Sequence, residues 1–281
     1  MIDYTVQTVK TDNFEMDYLK FGTGARMLVL LPGMSLKSTM GLASMVVDSY
    51  KIFADDFTVY MFDRKKNFGE SYPMEQMAAD TAEAMDALGI ERACFIGISQ
   101  GGMISQIIAE QYPQKVERLA LGCSAARLND MSRAVMTEWK RLAEARDIEA
   151  LCSNFIDKVF SAETIRKYKK SLMRMNTNAT EQDMARFCVL AKACLEYDAF
   201  AGLEKLKCPT LVLGAELDQV LGVIASREIA EVLQKNGVLT ELYVYENYGH
   251  AAYDEAPDYR ARILEFLKGV GEIFFAEDKT R

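Results

Sequence analysis

The chain has 281 residues, half of them hydrophobic, and a formal net charge of −8. This length allows one large α/β domain with an insertion, or two small domains. An acidic surface repels phosphate backbones, which argues against a nucleic-acid partner. The sequence contains neither a targeting segment nor an apolar run near the roughly 18 residues that span a bilayer, so we expect a cytoplasmic protein without a membrane span.

The cysteine and histidine content predicts a protein without metal or cofactor. The six cysteines include no C-x-x-C pair and mostly lie in apolar runs, which is typical of free buried thiols in a reducing compartment. One histidine and scattered cysteines provide no metal-ligand cluster. No G-x-G-x-x-G motif follows a predicted strand.

The N-terminal part predicts a hairpin followed by buried strands. Residues 2–8 and 14–21 alternate polar and apolar side chains, which favours a half-exposed antiparallel hairpin. The continuous apolar runs at 27–31 and 57–62 are typical of strands buried on both faces of a parallel sheet. Helices are predicted near residues 40–52 and over 74–88.

A serine flanked by glycines follows, at the change from a strand pattern to a helical one. Gly97, Ser99 and Gly101 spell G-x-S-x-G, the tight turn that exposes a nucleophilic serine above a sheet. The motif can occur by chance, so its context decides. A strand is predicted over 92–98 before it, and a helical apolar face between Met103 and Ile108 after it. This strand–turn–helix context supports the motif.

The alternation of strands and helices is interrupted once. After a strand over 116–123, residues 126–200 contain no strand-like run and repeat apolar side chains every three or four positions. Thr180 with Asp183 could begin a helix there. We therefore predict an all-helical cap over 126–200, inserted into an α/β core formed by 1–125 and 201–281.

Strands and helices alternate again in the C-terminal part. Strands are predicted over 208–214 and 239–245, with a helix over 222–235 between them and a terminal helix from about 256. The predicted class is α/β, with a mostly parallel eight-stranded sheet and helices on both of its faces.

A base and an acid for Ser99 are available in this C-terminal part. His250, the single histidine, follows the last predicted strand, and Asp218 follows the strand before it. His250 could instead be a surface residue without a role, but the chain order Ser, Asp, His is that of α/β hydrolases. We therefore predict Ser99 as nucleophile, His250 as base and Asp218 as the acid that orients it.

Other carboxylates are weaker candidates for the acid. Glu216 lies closer to its strand and can point away, and Asp254 and Glu255 are expected to cap the terminal helix or to face solvent.

Two backbone N–H groups are predicted to stabilise an oxyanion. One belongs to Gln100, which follows the nucleophile at a helix N-terminus. The other is assigned to Met34, because Pro32 has no N–H and Gly33 relaxes the turn. The alternative is that the loop around Met34 is an ordinary strand-to-helix turn.

Several further side chains border this region. Asp63-Arg64 and Gly69-x-Ser71 are expected to stabilise a turn rather than to contact substrate, and Lys65 and Lys66 to be solvated, or to attract an anionic substrate group. Some methionines could line an adaptable acyl pocket, although most are expected in ordinary packing. The candidates are Met34, Met40, Met45, Met103, Met131 and Met136.

These motifs together resemble the α/β-hydrolase family over nearly the whole chain except the insertion. The resemblance lies in Gly97–Gly102, in Phe62–Arg64 with Gly69–Ser71, in Cys208–Gly214 with Asp218, and in Gly249–Ala252 with Glu255–Pro257. It is similar to small cofactor-free esterases, lipase-like enzymes and C–C bond hydrolases with a helical cap after the sixth strand. Many relatives have His-Gly where this chain has Pro32-Gly33, a difference that bears on Met34 and leaves the other assignments unchanged.

The leading functional hypothesis is a serine hydrolase that cleaves a small, largely apolar carboxylic ester through an acyl-enzyme on Ser99. C–C bond hydrolysis, thioester hydrolysis and acyl transfer would use the same three residues. A ligand receptor or scaffold with little turnover is the alternative of another class. The expected partner is a small ester-like substrate, and the oligomeric state is left open.

Overall fold

The computed structural model describes residues 2–269, which form an eight-stranded sheet flanked by helices. The strands are β1 (Tyr4–Lys10), β2 (Glu15–Phe21), β3 (Arg26–Leu31), β4 (Phe57–Lys65), β5 (Ala93–Ile98), β6 (Val116–Gly122), β7 (Thr210–Ala215) and β8 (Thr240–Tyr245). Their order in the sheet is β1-β2-β4-β3-β5-β6-β7-β8. β2 pairs antiparallel with β1 and β4, and every other neighbouring pair is parallel.

The position of each strand in the sheet explains its sequence pattern. β5 lies in the middle, and all six of its residues are buried, because helices cover both faces of a parallel sheet. β1 lies at an edge, and only Val9 among its residues is buried. The predicted hairpin and buried strands are confirmed.

Helices cover both faces of the sheet, as predicted. They are α1 (Ala43–Tyr50), α2 (Met74–Ala87), α3 (Gln100–Gln111), α4 (Asp130–Glu144), α5 (Ile148–Val159), α6 (Ala162–Asn176), α7 (Glu181–Glu196), α8 (Val223–Lys235), α9 (Ala252–Glu255) and α10 (Tyr259–Lys268). The apolar residues of α2, α3 and α8 belong to the core on one face. Those of α1 and α10 belong to the core on the opposite face. Burial of apolar side chains on both faces is the main stabilising contribution to this arrangement.

Four helices, α4 to α7, form the insertion between β6 and β7. α4 packs against α5 and α7, and α5 packs against α6. A short β-bridge between Arg127 and Asp198 joins the two ends of the insertion. α7 begins with the capping box expected at Thr180 and Asp183. The proposed domain division at 126–200 stays a prediction.

The C-terminal part differs from the sequence expectation in one detail. The helix expected from about 256 is present as α10, which begins at Tyr259, and the short α9 before it was not predicted. The predicted core beyond residue 269 lies outside the described residues. Over the part that is described, no helix is both long and apolar enough to cross a bilayer.

Candidate active site

Ser99 lies at a tight turn between β5 and α3. Its backbone has φ 52° and ψ −119°, a conformation that residues other than glycine rarely adopt. Three backbone hydrogen bonds hold it: its N–H donates to the Gly122 carbonyl, and its own carbonyl accepts from Gly102 and Met103. The turn places the Ser99 hydroxyl at the carboxyl end of the sheet.

The glycines of the motif are required by close contacts. A Cβ at Gly101 would lie 2.0 Å from the carbonyl oxygen of Leu31, and one at Gly97 would lie 2.5 Å from Ser105 Oγ. Both distances are too short for any side chain. These glycines therefore allow the turn to approach β3 and α3 closely.

The structure brings His250 and Asp218 to Ser99. His250 Nε2 lies 3.0 Å from Ser99 Oγ, and His250 Nδ1 lies 2.9 Å from Asp218 Oδ2. The loops that follow β5, β7 and β8 carry the three residues, and parallel strands end at the same edge of the sheet. The three side chains form one chain of hydrogen bonds.

Burial and hydrogen bonding fix the charge of Asp218. Burial alone would raise the pKa of this carboxyl, but the attraction of His250 and a hydrogen bond from it outweigh burial and lower the pKa. The backbone N–H groups of Val220 and Leu221 contribute to the same shift by donating to Oδ1 at 2.7 and 3.0 Å. Asp218 is therefore ionised near neutral pH.

Met34 and Gln100 line the same cavity as Ser99 and His250. Gln100 is the first residue of α3, where backbone N–H groups are free of intrahelical partners. The loop before Met34 approaches Ser99 closely, because a Cβ at Gly33 would lie 3.2 Å from the Cβ of Ser99. The role of both backbone N–H groups in binding an oxyanion stays a prediction.

The cavity above Ser99 is small, and most of the residues that line it are apolar. Three of the methionines expected at a pocket, Met34, Met103 and Met136, line it, whereas Met45 and Met131 are exposed. The sequence did not indicate its aromatic lining. The other lining residues are Gly33, Ser99, Gln100, Trp139, Phe155, Val159, Cys194, His250 and Tyr253.

Cys123 is a neighbour that the sequence did not indicate. Its thiol, Asp218 and His250 each place one potential metal-ligand atom within 4.8 Å of the others. Burial, with the Asp218 carboxylate, raises the pKa of the Cys123 thiol well above its usual value, so the thiol is neutral near pH 7 and a poor metal ligand. His250 and Asp218 already hydrogen-bond to each other. These contacts favour hydrogen bonding over metal binding here.

Two expectations about charged residues near the site differ from the structure. The prediction that Lys65 is solvated is wrong, because its Nζ lies 3.0 Å from Asp80 in an ion pair that is mostly buried. Lys66 is exposed, as expected, and pairs with Asp17. Glu255 was expected to cap the terminal helix or to face solvent. It is partly buried and accepts hydrogen bonds from the backbone N–H and the hydroxyl of Ser161.

Glu216 lies away from the hydrogen-bonded chain of Ser99, His250 and Asp218. It is exposed and accepts a hydrogen bond from Arg227 at 2.9 Å. The sequence ranks it below Asp218 as the acid, and that ranking stays a prediction.

Comparison with known proteins identifies the class. Residues 29–257 match the alpha/beta hydrolase fold family, and the chain belongs to that family of hydrolases. It is similar to 3-oxoadipate enol-lactonase 2 of Acinetobacter baylyi, with 20% identity over 233 residues that cover 80% of this chain and 84% of that protein.

Solved structures share the fold. An α/β-hydrolase enzyme from a Medee basin deep-sea metagenome library has a TM-score of 0.82 and 20% identity, over 94% of this chain and 97% of that one. The enol-lactonase from Burkholderia xenovorans LB400 has a TM-score of 0.80 and 22% identity, over 93% of this chain and 100% of that one. At these identities the likeness concerns the fold.

Proposed function

We propose that this protein is a serine hydrolase that cleaves small, largely apolar carboxylic esters through an acyl-enzyme on Ser99. One observation carries the proposal: the hydrogen-bonded chain from Ser99 Oγ through His250 to Asp218, at 3.0 and 2.9 Å, inside an apolar cavity. A serine hydroxyl becomes a strong nucleophile when a histidine removes its proton. A buried carboxylate keeps the imidazole in the required tautomer.

The reaction follows from this arrangement. His250 Nε2 takes the proton of Ser99 as Oγ attacks the ester carbonyl, and the backbone N–H groups of Gln100 and Met34 stabilise the oxyanion that forms. His250 then gives the proton to the departing alcohol, which leaves an acyl group on Ser99. Water, deprotonated by His250, attacks this acyl group, and His250 returns the proton to Ser99 Oγ as the carboxylic acid leaves. Asp218 stabilises the imidazolium in both steps without taking its proton.

The cavity lining points to the class of substrate. Among the described residues that line it, none is Asp, Glu, Lys or Arg, so it favours neutral acyl groups over anionic ones. Trp139 in α4 and Phe155 in α5 form part of the wall, and we propose on this basis that the insertion acts as a cap that limits acyl size. Two similar proteins are named enol-lactonases, and a lactone is a cyclic ester, so lactones belong in the substrate test.

Covalent labelling tests the proposal. A fluorophosphonate should label the wild-type protein, and mass spectrometry should place the label on Ser99. Ser99→Ala should lose the label and lower kcat on p-nitrophenyl butyrate by about 10⁶-fold, to the level left by binding alone. Ser49→Ala, at an exposed serine of α1, should behave as wild type.

Two results would contradict the proposal: an unlabelled wild-type protein, or full esterase activity in Ser99→Ala. A panel of p-nitrophenyl esters, thioesters and lactones then separates the possible chemistries. A ligand that strongly raises the melting temperature while nothing in the panel is turned over would favour a receptor instead.

A further inference from the structure

Arg64 is a buried arginine next to the nucleophile turn, and the proposed reaction does not use it. It lies near the end of β4 and is 6% exposed. A single nitrogen of its guanidinium, Nη2, donates to the Pro32 carbonyl at 3.0 Å and to Gln100 Oε1 at 3.0 Å. Arg64 therefore touches two segments that are distant in the chain and adjacent at the site.

The guanidinium of Arg64 does not use all of its hydrogen-bond donors. Among the described residues, Arg64 Nε is buried and has no hydrogen-bond partner. The neighbouring Asp63 carboxylate accepts hydrogen bonds from the Arg64 backbone N–H and from Arg186. Burying a guanidinium costs free energy that an apolar side chain of similar size would not. An apolar side chain at this position could not make the two hydrogen bonds that Nη2 donates.

Burial lowers the pKa of Arg64 to about 10, although Asp63 opposes the shift. The guanidinium is still protonated near neutral pH. Hydrogen bonds from a charged donor are stronger than those between neutral groups, so the two contacts of Nη2 hold their acceptors firmly.

The two acceptors belong to the segments that carry the proposed oxyanion donors. Gln100 itself provides one backbone N–H, and Pro32 precedes Met34 by two residues. The loop at Pro32 is tightly placed, since a Cβ at Gly101 would lie 2.7 Å from the Pro32 carbonyl oxygen. Pro32 has no N–H with which to anchor the loop, which leaves its carbonyl as its anchoring group.

We propose that Arg64 is a positioning residue for the oxyanion hole: by binding the Pro32 carbonyl and the Gln100 side chain from one nitrogen, it fixes the distance between the two backbone donors. This inference rests on the function proposed above.

The helical insertion supports the same arrangement from the other side. Gln100 Nε2 donates to the Leu190 carbonyl at 3.1 Å and to Cys194 Sγ at 3.3 Å, both in α7. The side-chain amide of Gln100 is therefore fixed at both polar atoms: Arg64 binds its oxygen, and α7 binds its nitrogen.

Substitution of Arg64 with a matched control tests the inference. Arg64→Met is compared with Arg26→Met. Arg26 begins β3, at the end of the strand away from Pro32, and pairs with Glu117 at 2.6 Å. Fluorophosphonate titration counts the folded nucleophiles in each preparation. The kinetic constants for p-nitrophenyl butyrate, expressed per titrated site, then exclude losses that come from unfolding.

For Arg64→Met we expect kcat per titrated site to fall about 10- to 100-fold with KM nearly unchanged, since misplaced oxyanion donors weaken binding of the transition state. The affinity for an alkyl boronic acid, which forms a tetrahedral adduct with serine, should fall by the same factor as kcat/KM. Arg26→Met should keep kcat per site within about twofold of wild type.

Arg64→Lys, which keeps the charge on a shorter side chain, is measured in parallel in case Arg64→Met does not fold. It should show a smaller loss that is again confined to kcat. A folded Arg64 variant with wild-type kcat per site, or an equal loss in Arg26→Met, would overturn the inference while leaving the proposed function intact. An unlabelled wild-type protein would overturn the proposed function itself.

Discussion

Ser99 occupies a strained backbone conformation that its surroundings enforce. A residue other than glycine with φ 52° costs of the order of 1–3 kcal/mol and persists where several contacts determine it. Ser99 has such contacts: its N–H donates to the Gly122 carbonyl at 2.8 Å, and Ser124 Oγ donates to its carbonyl at 2.9 Å. The strain is consistent with a hydroxyl that must point away from the sheet.

Asp218 and Glu216 allow the role of the acid to be tested with a matched pair. Asp218→Asn should lower kcat on an ester by about 10⁴-fold, because a neutral amide no longer stabilises the imidazolium or fixes its tautomer. Glu216→Gln, at the exposed carboxylate that pairs with Arg227, should keep wild-type activity. Steady-state kinetics of both variants at one pH measure the difference. The assignment of Asp218 would be wrong if the two variants lost activity equally.

At the scale of elements, the insertion is joined to the loop that carries His250. The Ala251 N–H, next to His250, donates to the Val159 carbonyl at the end of α5 at 2.8 Å. The last residue of α9, Glu255, accepts two hydrogen bonds from Ser161, the N-cap of α6. The junction between α5 and α6 therefore contributes to the placement of His250.

The contact of Glu255 with Ser161 gives a stability prediction. Glu255→Ala should lower the free energy of unfolding by about 1.5–3 kcal/mol, the usual size of a hydrogen bond to a charged group. Glu255→Gln keeps an oxygen acceptor and should lose less. Glu265→Ala, at an exposed position of α10, is the control and should be close to wild type. Urea unfolding measures all three, and equal stability of the Glu255→Ala and Glu265→Ala variants would argue against the contact.

Across the whole molecule, the sequence predicts elements that have a strong local pattern. β5 is a continuous apolar run between turn residues, and the turn after it follows from the spacing of Gly97, Ser99 and Gly101. α6 was not located individually, although Ile165, Leu172 and Met173 recur at helical spacing among its many charged residues. None of its residues is fully buried.

The sequence predicted the contacts of the candidate site that follow from the order of the strands. It did not predict contacts between residues that only the folded chain brings together. Ser99, Asp218 and His250 follow three strands of one sheet, so their meeting could be expected. Arg64 meets Gln100, and Cys123 meets Asp218, across large distances in the chain. No local pattern encodes either pair, and the sequence therefore assigned Arg64 only to a turn.

The cavity wall is expected to set the length of the acyl chain that the protein accepts. Phe155 is partly buried, lines the cavity and packs against Trp139 with ring centroids 4.8 Å apart and ring planes tilted by 35°. Phe155→Ala would open space for a longer acyl chain, and each additional buried methylene is worth about 0.8 kcal/mol, or roughly a fourfold gain in kcat/KM. The ratio of kcat/KM for p-nitrophenyl octanoate to that for the butyrate should therefore rise at least about tenfold.

The control for this prediction is Tyr168→Ala, which removes an exposed aromatic ring from α6 of the same insertion. It should leave the ratio of octanoate to butyrate unchanged, because Tyr168 is exposed to solvent. Rates per titrated Ser99 remove the effect of any stability lost with Phe155. If the ratio stays constant in folded Phe155→Ala, or changes equally in Tyr168→Ala, the insertion does not set acyl length through this wall. A shift confined to Phe155→Ala would instead make the insertion the part of the chain that selects the substrate, with the sheet supplying the chemistry.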